Sequence, residues 1–194
     1  MKILLNKAHY PVTVLGPGRR IGIWVQGCSI RCPGCVSRDT WQTDDGHAST
    51  VEDLVKWCRE ASDNPDGITI SGGEPFDQPE ALAALLNGLN DWRNHAAASF
   101  DILAYSGYPI TRLRSSHAAL LAGLDAIISG PYVENLPKGG PLCGSSNQRV
   151  IVLSDLGRRR YGNEPYGPEA KEMQIHVEDG KIWFIGVPDR GDME

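Results

Sequence analysis

Three cysteines lie within eight residues in the text GCSIRCPGCVSRDTW: Cys28, Cys32 and Cys35, spaced C-x3-C-x2-C in a loop after the apolar run IGIWVQG. Cysteine thiolates are the usual protein ligands of iron–sulfur clusters, and four normally saturate a cubane. Three ligands leave one iron without a protein partner, and a chelating substrate group can take that corner. Gly27, Pro33 and Gly34 suit a tight loop around an inorganic core, because they relax or preset the backbone dihedrals. A zinc site is the competing reading; it usually takes four ligands, commonly as two separated pairs. No second pair is spaced for it, since Cys58 falls on a helical pattern, Cys143 is distant and His47 is isolated.

Other residues stand where chemistry or plain structure can use them. Gly72-Gly73-Glu74-Pro75 ends an apolar run, and its two glycines expose backbone acceptors and donors with no side chain in the way. The plain reading is a strand-to-helix turn set up by Pro75 and Pro79. Ser106 and Ser129 each end a strand-like run, at YSG and ISG, where both reach toward one ligand or serve as turn residues. Asn147 precedes QRVIVL, a place suited to an Asx turn. Cys143, in PLCGSSNQR, lies in a loop away from any amphipathic helix. A thiol has a weak S–H bond and donates hydrogen atoms well, so Cys143 is either an inert loop thiol or a hydrogen-atom donor to a substrate radical. Cys58 shares a helical face with Val51, Leu54 and Val55 and reads as core. The five histidines show no ligand spacing, and Arg158, Arg159 and Arg160 read as a solvated run.

The elements that must position these residues alternate. IGIWVQG from Ile21 reads as a strand delivering the chain into the cysteine loop. Ser49 and Thr50 offer a helix N-cap before Val51, Leu54, Val55 and Cys58. Strand ITISG then leads to GGEP, and Pro79 opens a second helix through Leu82, Leu85, Leu86 and Leu89. FDILAYSGY, a third helix over about 111–122, DAIISGPY and QRVIVL follow. Strand–helix alternation of this kind marks a parallel sheet with crossover helices. Between Leu156 and Ala170 the text is polar and turn-rich and reads as a surface loop, while MQIHVEDGKIWFIGV reads as a β-hairpin turning at Asp179-Gly180. The expected fold is α/β: an open, partial parallel α/β barrel of about five or six strands, short of the eight of a closed barrel, with a C-terminal β-hairpin. One domain over residues 1–194 is expected, with its core at about 20–155 and an extension at 156–194.

Composition narrows the partners. A formal charge of −5 argues against a nucleic-acid binder. The N-terminal MKILLNKAHYPVTVLG is a short apolar run broken by Asn6, Lys7 and Pro11, with no signal-peptide core, and no apolar stretch approaches the length of a membrane span. A cytoplasmic protein is expected, and in such a chain clustered cysteines point to metal binding more than to disulfides.

C-x3-C-x2-C in a loop after the first strand of the α/β core resembles the signature of the radical S-adenosylmethionine (SAM) superfamily. CPGC with a nearby tryptophan resembles the small activases of glycyl-radical enzymes, above all the activase type of anaerobic ribonucleotide reductase. The likeness continues through GGEP, Tyr105-Ser106-Gly107, DAIISGPY and GSSNQR. It implies a 4Fe-4S cluster on Cys28, Cys32 and Cys35, S-adenosylmethionine at its open iron, and a 5′-deoxyadenosyl radical that takes hydrogen from a substrate carbon. Gly72, Gly73, Glu74 and Pro75 would receive the methionine ammonium, which needs acceptors; Ser106, Ser129 and Asn147 would stand near the same cofactor. A flavodoxin or ferredoxin is the implied reductant. Two departures stand out: Gly34 replaces an aromatic that flanks adenine in many relatives, leaving Trp41 as a stand-in, and Ser129 replaces a frequent aspartate. Two outcomes remain. Cys143 favours epimerisation of a small molecule, a sugar or natural product, with return of hydrogen from the thiol, and this is the leading expectation. The overall likeness favours installing a glycyl radical on a partner enzyme. An iron–sulfur electron carrier would explain the cysteines but leave GGEP and the two serines idle.

Overall fold

The computed structural model describes residues 1–95, 99–162, 173–178 and 180–188. Seven strands form one sheet: β1 (Lys2–Val12), β2 (Arg20–Val25), β3 (Ala48–Thr50), β4 (Gly67–Gly72), β5 (Asp101–Ser106), β6 (Ala126–Ser129) and β7 (Arg149–Val152), in the order β3-β1-β2-β4-β5-β6-β7. The centre, β2-β4-β5-β6, is parallel, and β1 and β7 flank it antiparallel. The helices are α1 (Val51–Ala61), α2 (Pro79–His95), α3 (Ile110–Ser116), α4 (Ala118–Leu121) and α5 (Asp155–Tyr161).

Alternation along the strands explains the layers. Ile21, Ile23 and Val25, Ile68 and Ile70, Ile102 and Ala104, and Ile127 point to one face, where they pack with Leu54, Cys58, Leu82, Leu85, Leu89 and Leu113. The intervening Leu103, Ala126 and Ile128 face the other way, against Leu142, Cys143 and Tyr161, while Trp24 packs with Val12, Val14, Leu15 and Ile185. A parallel sheet needs cover on both faces. Here helices cover one, and the loops after β6, α5 and a hairpin cover the other, giving the open α/β sheet with a parallel centre that the strand–helix alternation predicts. α1 begins as its sequence indicates, with the Thr50 hydroxyl accepting from the Asp53 amide at 3.1 Å.

Three elements differ from expectation. The N-terminal run is an eleven-residue strand, β1, that continues through Asn6, Lys7 and Pro11. Irregularities in its pairing with β2, between Leu5 and Lys7 and between His9 and Val12, absorb these residues, and a proline without an N–H is tolerated at such an interruption. With the short β3 paired on its other side, β1 brings the sheet to seven strands where about five or six were expected. The third helix divides at His117, whose φ of −137° is not helical, after the weak helix formers Ser115 and Ser116. Part of the polar stretch read as a loop is α5, capped by Ser154, whose hydroxyl accepts from Gly157 N at 3.0 Å. Arg158 and Arg159 are exposed, but Arg160 is half-buried and its Nε stands 3.9 Å from Asp101, so the arginine run is solvated only in part.

The C-terminal hairpin is present as β8 (Gln174–Glu178) and β9 (Lys181–Ile185). Gly180 has φ +73°, as its turn requires; Asp179 lies outside the described residues. Gln174 pins the hairpin to the end of β1 by accepting from Thr13 N at 3.0 Å and donating to Pro11 O at 2.7 Å. The His176 ring packs tilted against His9 and the Trp183 ring meets it edge-on, with centroids 4.0 and 5.9 Å away. No helix among the described residues is long and apolar enough to cross a membrane.

Candidate active site

The parallel strands end together, and the cysteine loop leaves from the end of β2. The chain turns at Gly27, φ +98°, and the Gly27 and Cys28 amides donate to Thr40 O and Trp41 O at 2.7 and 3.1 Å, closing the loop on itself. Cys28, Cys32 and Cys35 are all unpaired thiols, partly exposed on this one loop. Burial holds the Cys28 and Cys32 thiols above the ordinary range, but backbone amides of Ile30 and Arg31 at Cys28, and of Tyr132 at Cys32, pull the other way. Those amides stabilise the thiolate, the form that binds iron. Three thiols from one loop, met by backbone N–H groups, are the donor set of a cubane with one corner left to another ligand, although among the described residues no three such side chains converge as they would on a single metal ion.

The segment Gly72–Pro75 is sewn to this loop. Gly73 N donates to Val25 O at 2.8 Å, and Glu74 N to Gly27 O at 2.9 Å. A Cβ on Gly73 would stand 2.0 Å from Gly27 O, and one on Gly72, φ +95°, would stand 2.6 Å from Val25 N. Only glycines let the end of β4 lie directly against the backbone leading into Cys28. Pro75 opens the following 3-10 turn, Pro75–Asp77.

The polar side chains nearby are already engaged within the protein. Glu74, 1% exposed, accepts from Phe76 N, Ser106 Oγ and Gly107 N at 3.1, 2.9 and 2.8 Å. Ser129 Oγ donates to Tyr108 O at 2.8 Å. Asp77 accepts from Ser29 N at 2.7 Å and from the Tyr108 hydroxyl at 2.6 Å, tying the cysteine loop to the end of β5. Glu74, Ser106 and Ser129 thus gather at the strand ends as a brace among β4, β5 and β6. Asn147 is exposed; its Nδ2 donates to Pro131 O at 2.8 Å and its Oδ1 accepts from Ser145 Oγ at 2.7 Å, so it ties the loop after β6 to the segment leading into β7.

Burial pushes the Glu74 carboxyl up to about 7, against partial relief from the Phe76 and Gly107 amides and the Ser106 hydroxyl. A carboxyl whose folded pKa is raised stabilises the fold most when protonated. Its contribution is full below about pH 4.5 and is lost as pH rises through about 7. Glu74→Gln cannot ionise. Urea unfolding at several pH values is therefore expected to show wild type losing about 3 kcal/mol relative to that variant between about pH 4.5 and pH 8.

A cleft of about 790 Å³ opens on the inner face of the sheet beside Cys35. Trp24, Ser71 and Tyr105 form its floor, Gly34, Cys35 and Val36 one wall, Tyr132, Gly144 and Gln148 another, and β9 a third. The size is that of a cofactor or small-ligand site. Trp41, the expected substitute for the aromatic missing at Gly34, does not line it; its buried indole Nε1 has no hydrogen-bond partner among the described residues. Trp24 and Tyr105 line it instead. No motif marks either as a cleft residue, although both fall on the inward parity of their strands, opposite the isoleucines. Cys143 is 3% exposed and packs with Leu103, Ala126 and Ile128; its neighbour Gly144 lines the cleft, whereas Cys143 does not.

Known proteins resemble most of this chain. Residues 14–151 match the family described as a 4Fe-4S single cluster domain. The anaerobic ribonucleoside-triphosphate reductase-activating protein of Vibrio cholerae is 32% identical over 147 residues, covering 73% of this chain and 94% of that protein. Its namesake from Enterobacteria phage T4 is 32% identical over 143 residues, covering 73% and 89%. The pyruvate formate-lyase-activating enzyme of Streptococcus mutans is 28% identical over 164 residues, covering 80% of this chain and 62% of that enzyme. The chain therefore belongs to the 4Fe-4S single-cluster family of radical SAM enzymes, with the activating proteins of glycyl-radical enzymes, and its cofactors are a 4Fe-4S cluster and S-adenosylmethionine.

Proposed function

We propose that this enzyme installs a glycyl radical on an anaerobic ribonucleotide reductase. The observation that carries the reading is the match, over 94% of its length, to a relative named as the activating protein of such a reductase. In this reading Cys28, Cys32 and Cys35 hold the cluster, and the backbone at Gly72 and Gly73 offers acceptors to the amino group of S-adenosylmethionine. When bound, the cluster and S-adenosylmethionine would supply the one-electron chemistry that these side chains do not. The chain's own part is positional. The Gly73 and Glu74 amides lock the end of β4 to the cysteine loop, and the Asp77–Ser29–Tyr108 bonds fix that loop against β5. Trp24, Tyr105 and Val36 give the cleft apolar surface against which a substrate segment can be positioned. A flavodoxin or ferredoxin is the reductant, and the cytoplasm is the setting.

Epimerisation of a small molecule, the outcome toward which Cys143 leans, has less support. The relatives named are activating proteins, and Cys143 is buried among Leu103, Ala126 and Ile128. The decisive experiment mixes the anaerobically reconstituted enzyme, a low-potential reductant, S-adenosylmethionine and the reductase. A glycyl-radical doublet on the reductase, with methionine and 5′-deoxyadenosine released, is expected; its absence overturns the reading. Cys143→Ala is expected to form that radical within about twofold of wild type and to lose about 1 kcal/mol of stability through a small cavity. A small-molecule product that gains solvent deuterium in wild type and disappears in Cys143→Ala would establish the epimerase instead.

A further inference from the structure

The hairpin inverts the usual pattern of an antiparallel pair, which turns its apolar side to the core and its polar side to water. Its inner side, Gln174, His176, Trp183 and Ile185, is seated on β1 and its neighbours. Its outer side carries Ile175, Val177, Ile182 and Phe184, exposed by 62, 63, 60 and 62%. They stand in two directly paired positions, Ile175 opposite Phe184 and Val177 opposite Ile182. Four large apolar side chains facing water together mark an interaction surface.

Its position says what it meets. Ile182 and Phe184 belong both to this outer face and to the wall of the cleft, and Val36, 52% exposed beside Cys35, lines the same cleft. The apolar face is thus continuous with the rim of the cleft. A small molecule enclosed by the cleft has no use for a surface running on to Ile175 and Val177. A protein that must thread one residue into the cleft lays the flanking segment across that surface. The hairpin also lies beyond residues 14–151, the part matched by the family, so it is an addition to the common core at the mouth of the site.

Resting on the activase reading, we infer that Ile175, Val177, Ile182 and Phe184, with Val36 across the cleft, form the seat for the apolar segment of the reductase that flanks its target glycine. The seat is a specificity element: it selects a protein substrate by the apolar side chains on either side of the glycine.

The test uses the full-length reconstituted enzyme with the doubly substituted I175E/V177E variant, whose two positions lie on the outer face and do not line the cleft. Affinity for the reductase is measured by sedimentation and by the reductase concentration giving half-maximal glycyl radical; iron content and melting temperature report on folding. The variant is expected to keep both folding measures and to bind the reductase at least tenfold more weakly. F184E, at the rim, is expected to weaken binding by a similar factor. Equal affinities for wild type and both variants, with the glycyl radical still formed, would overturn the docking inference and leave the activase standing. A wild-type enzyme that neither binds nor radicalises the reductase would overturn the activase reading and this inference with it. A dimer of the enzyme alone that dissociates in I175E/V177E would also overturn it, because a second copy would then cover the face.

Discussion

Cys32→Ala protein, reconstituted with iron and sulfide without oxygen, is expected to retain its fold, assemble no four-iron cluster and release no methionine from S-adenosylmethionine. The three thiols come from one loop, so no other described element stands in for a missing ligand: Cys58 is fully buried in the helix-side core and its thiol is pushed up to about 12, while Cys143 lies on the inner side against β5 and β6. Removing Cys32 also strands the Tyr132 amide directed at its sulfur. The loop itself is held by contacts that the substitution leaves alone: Gly27 N to Thr40 O, Cys28 N to Trp41 O, and Ser29 N to Asp77. A partly exposed thiol replaced by a methyl group costs within about 0.5 kcal/mol of folding stability. The chemistry, by contrast, is expected to fall at least about a thousandfold, roughly 4 kcal/mol of barrier. Iron and sulfide analysis, with chromatography of methionine, checks both halves. A Cys32→Ala enzyme that held a complete cluster and cleaved the cofactor would remove Cys32 from the ligand set.

Asp101→Ala is expected to cost about 3–5 kcal/mol of stability, a large share of the roughly 5–15 kcal/mol that holds a typical domain together. Asp101 opens β5 and Arg20 opens β2, both 0% exposed. Their pair is bidentate, with Nη1 to Oδ1 at 3.0 Å and Nη2 to Oδ2 at 2.8 Å, and Arg20 Nε also donates to Thr69 Oγ1 at 2.7 Å. The Tyr161 hydroxyl of α5 donates to Asp101 Oδ2 at 2.6 Å. Burial works against the Arg20 charge, but Tyr161 and Asp101 more than offset it and hold Arg20 above its ordinary range. Without the carboxylate, the guanidinium keeps its charge in a dry interior and Tyr161 loses its acceptor. Breaking one side of such a pair costs more than the pair contributes, because the abandoned charge remains. Urea unfolding of wild type and variant measures the difference; a loss under about 1 kcal/mol would mean that water reaches Arg20. The network sits at the opposite end of the sheet from the cysteine loop. Variant that is still folded at low temperature should therefore reconstitute its cluster.

Local chemistry and period were readable in the chain itself. The spacing of Cys28, Cys32 and Cys35, the helix starts at Thr50 and Pro79, the parallel strand–helix alternation and the C-terminal hairpin all depend on neighbours within a few residues, where composition and geometry are tightly linked. What depended on distant partners was not readable. Pro11 disguised β1, whose pairing irregularities appear only once β2 lies beside it. Trp24 and Tyr105 became cleft residues because two strands brought their inward sides together, and a strand's parity does not say which face stays open. Glu74 and Ser106, expected at the ligand, spend their polar atoms on each other across 32 residues of sequence, since a carboxylate buried at a strand end must find donors wherever the fold supplies them. The order of the residues determined which groups can do chemistry. Only the tertiary structure decided which of them have hydrogen-bonding capacity left for a ligand, because that depends on the partners folding brings within reach.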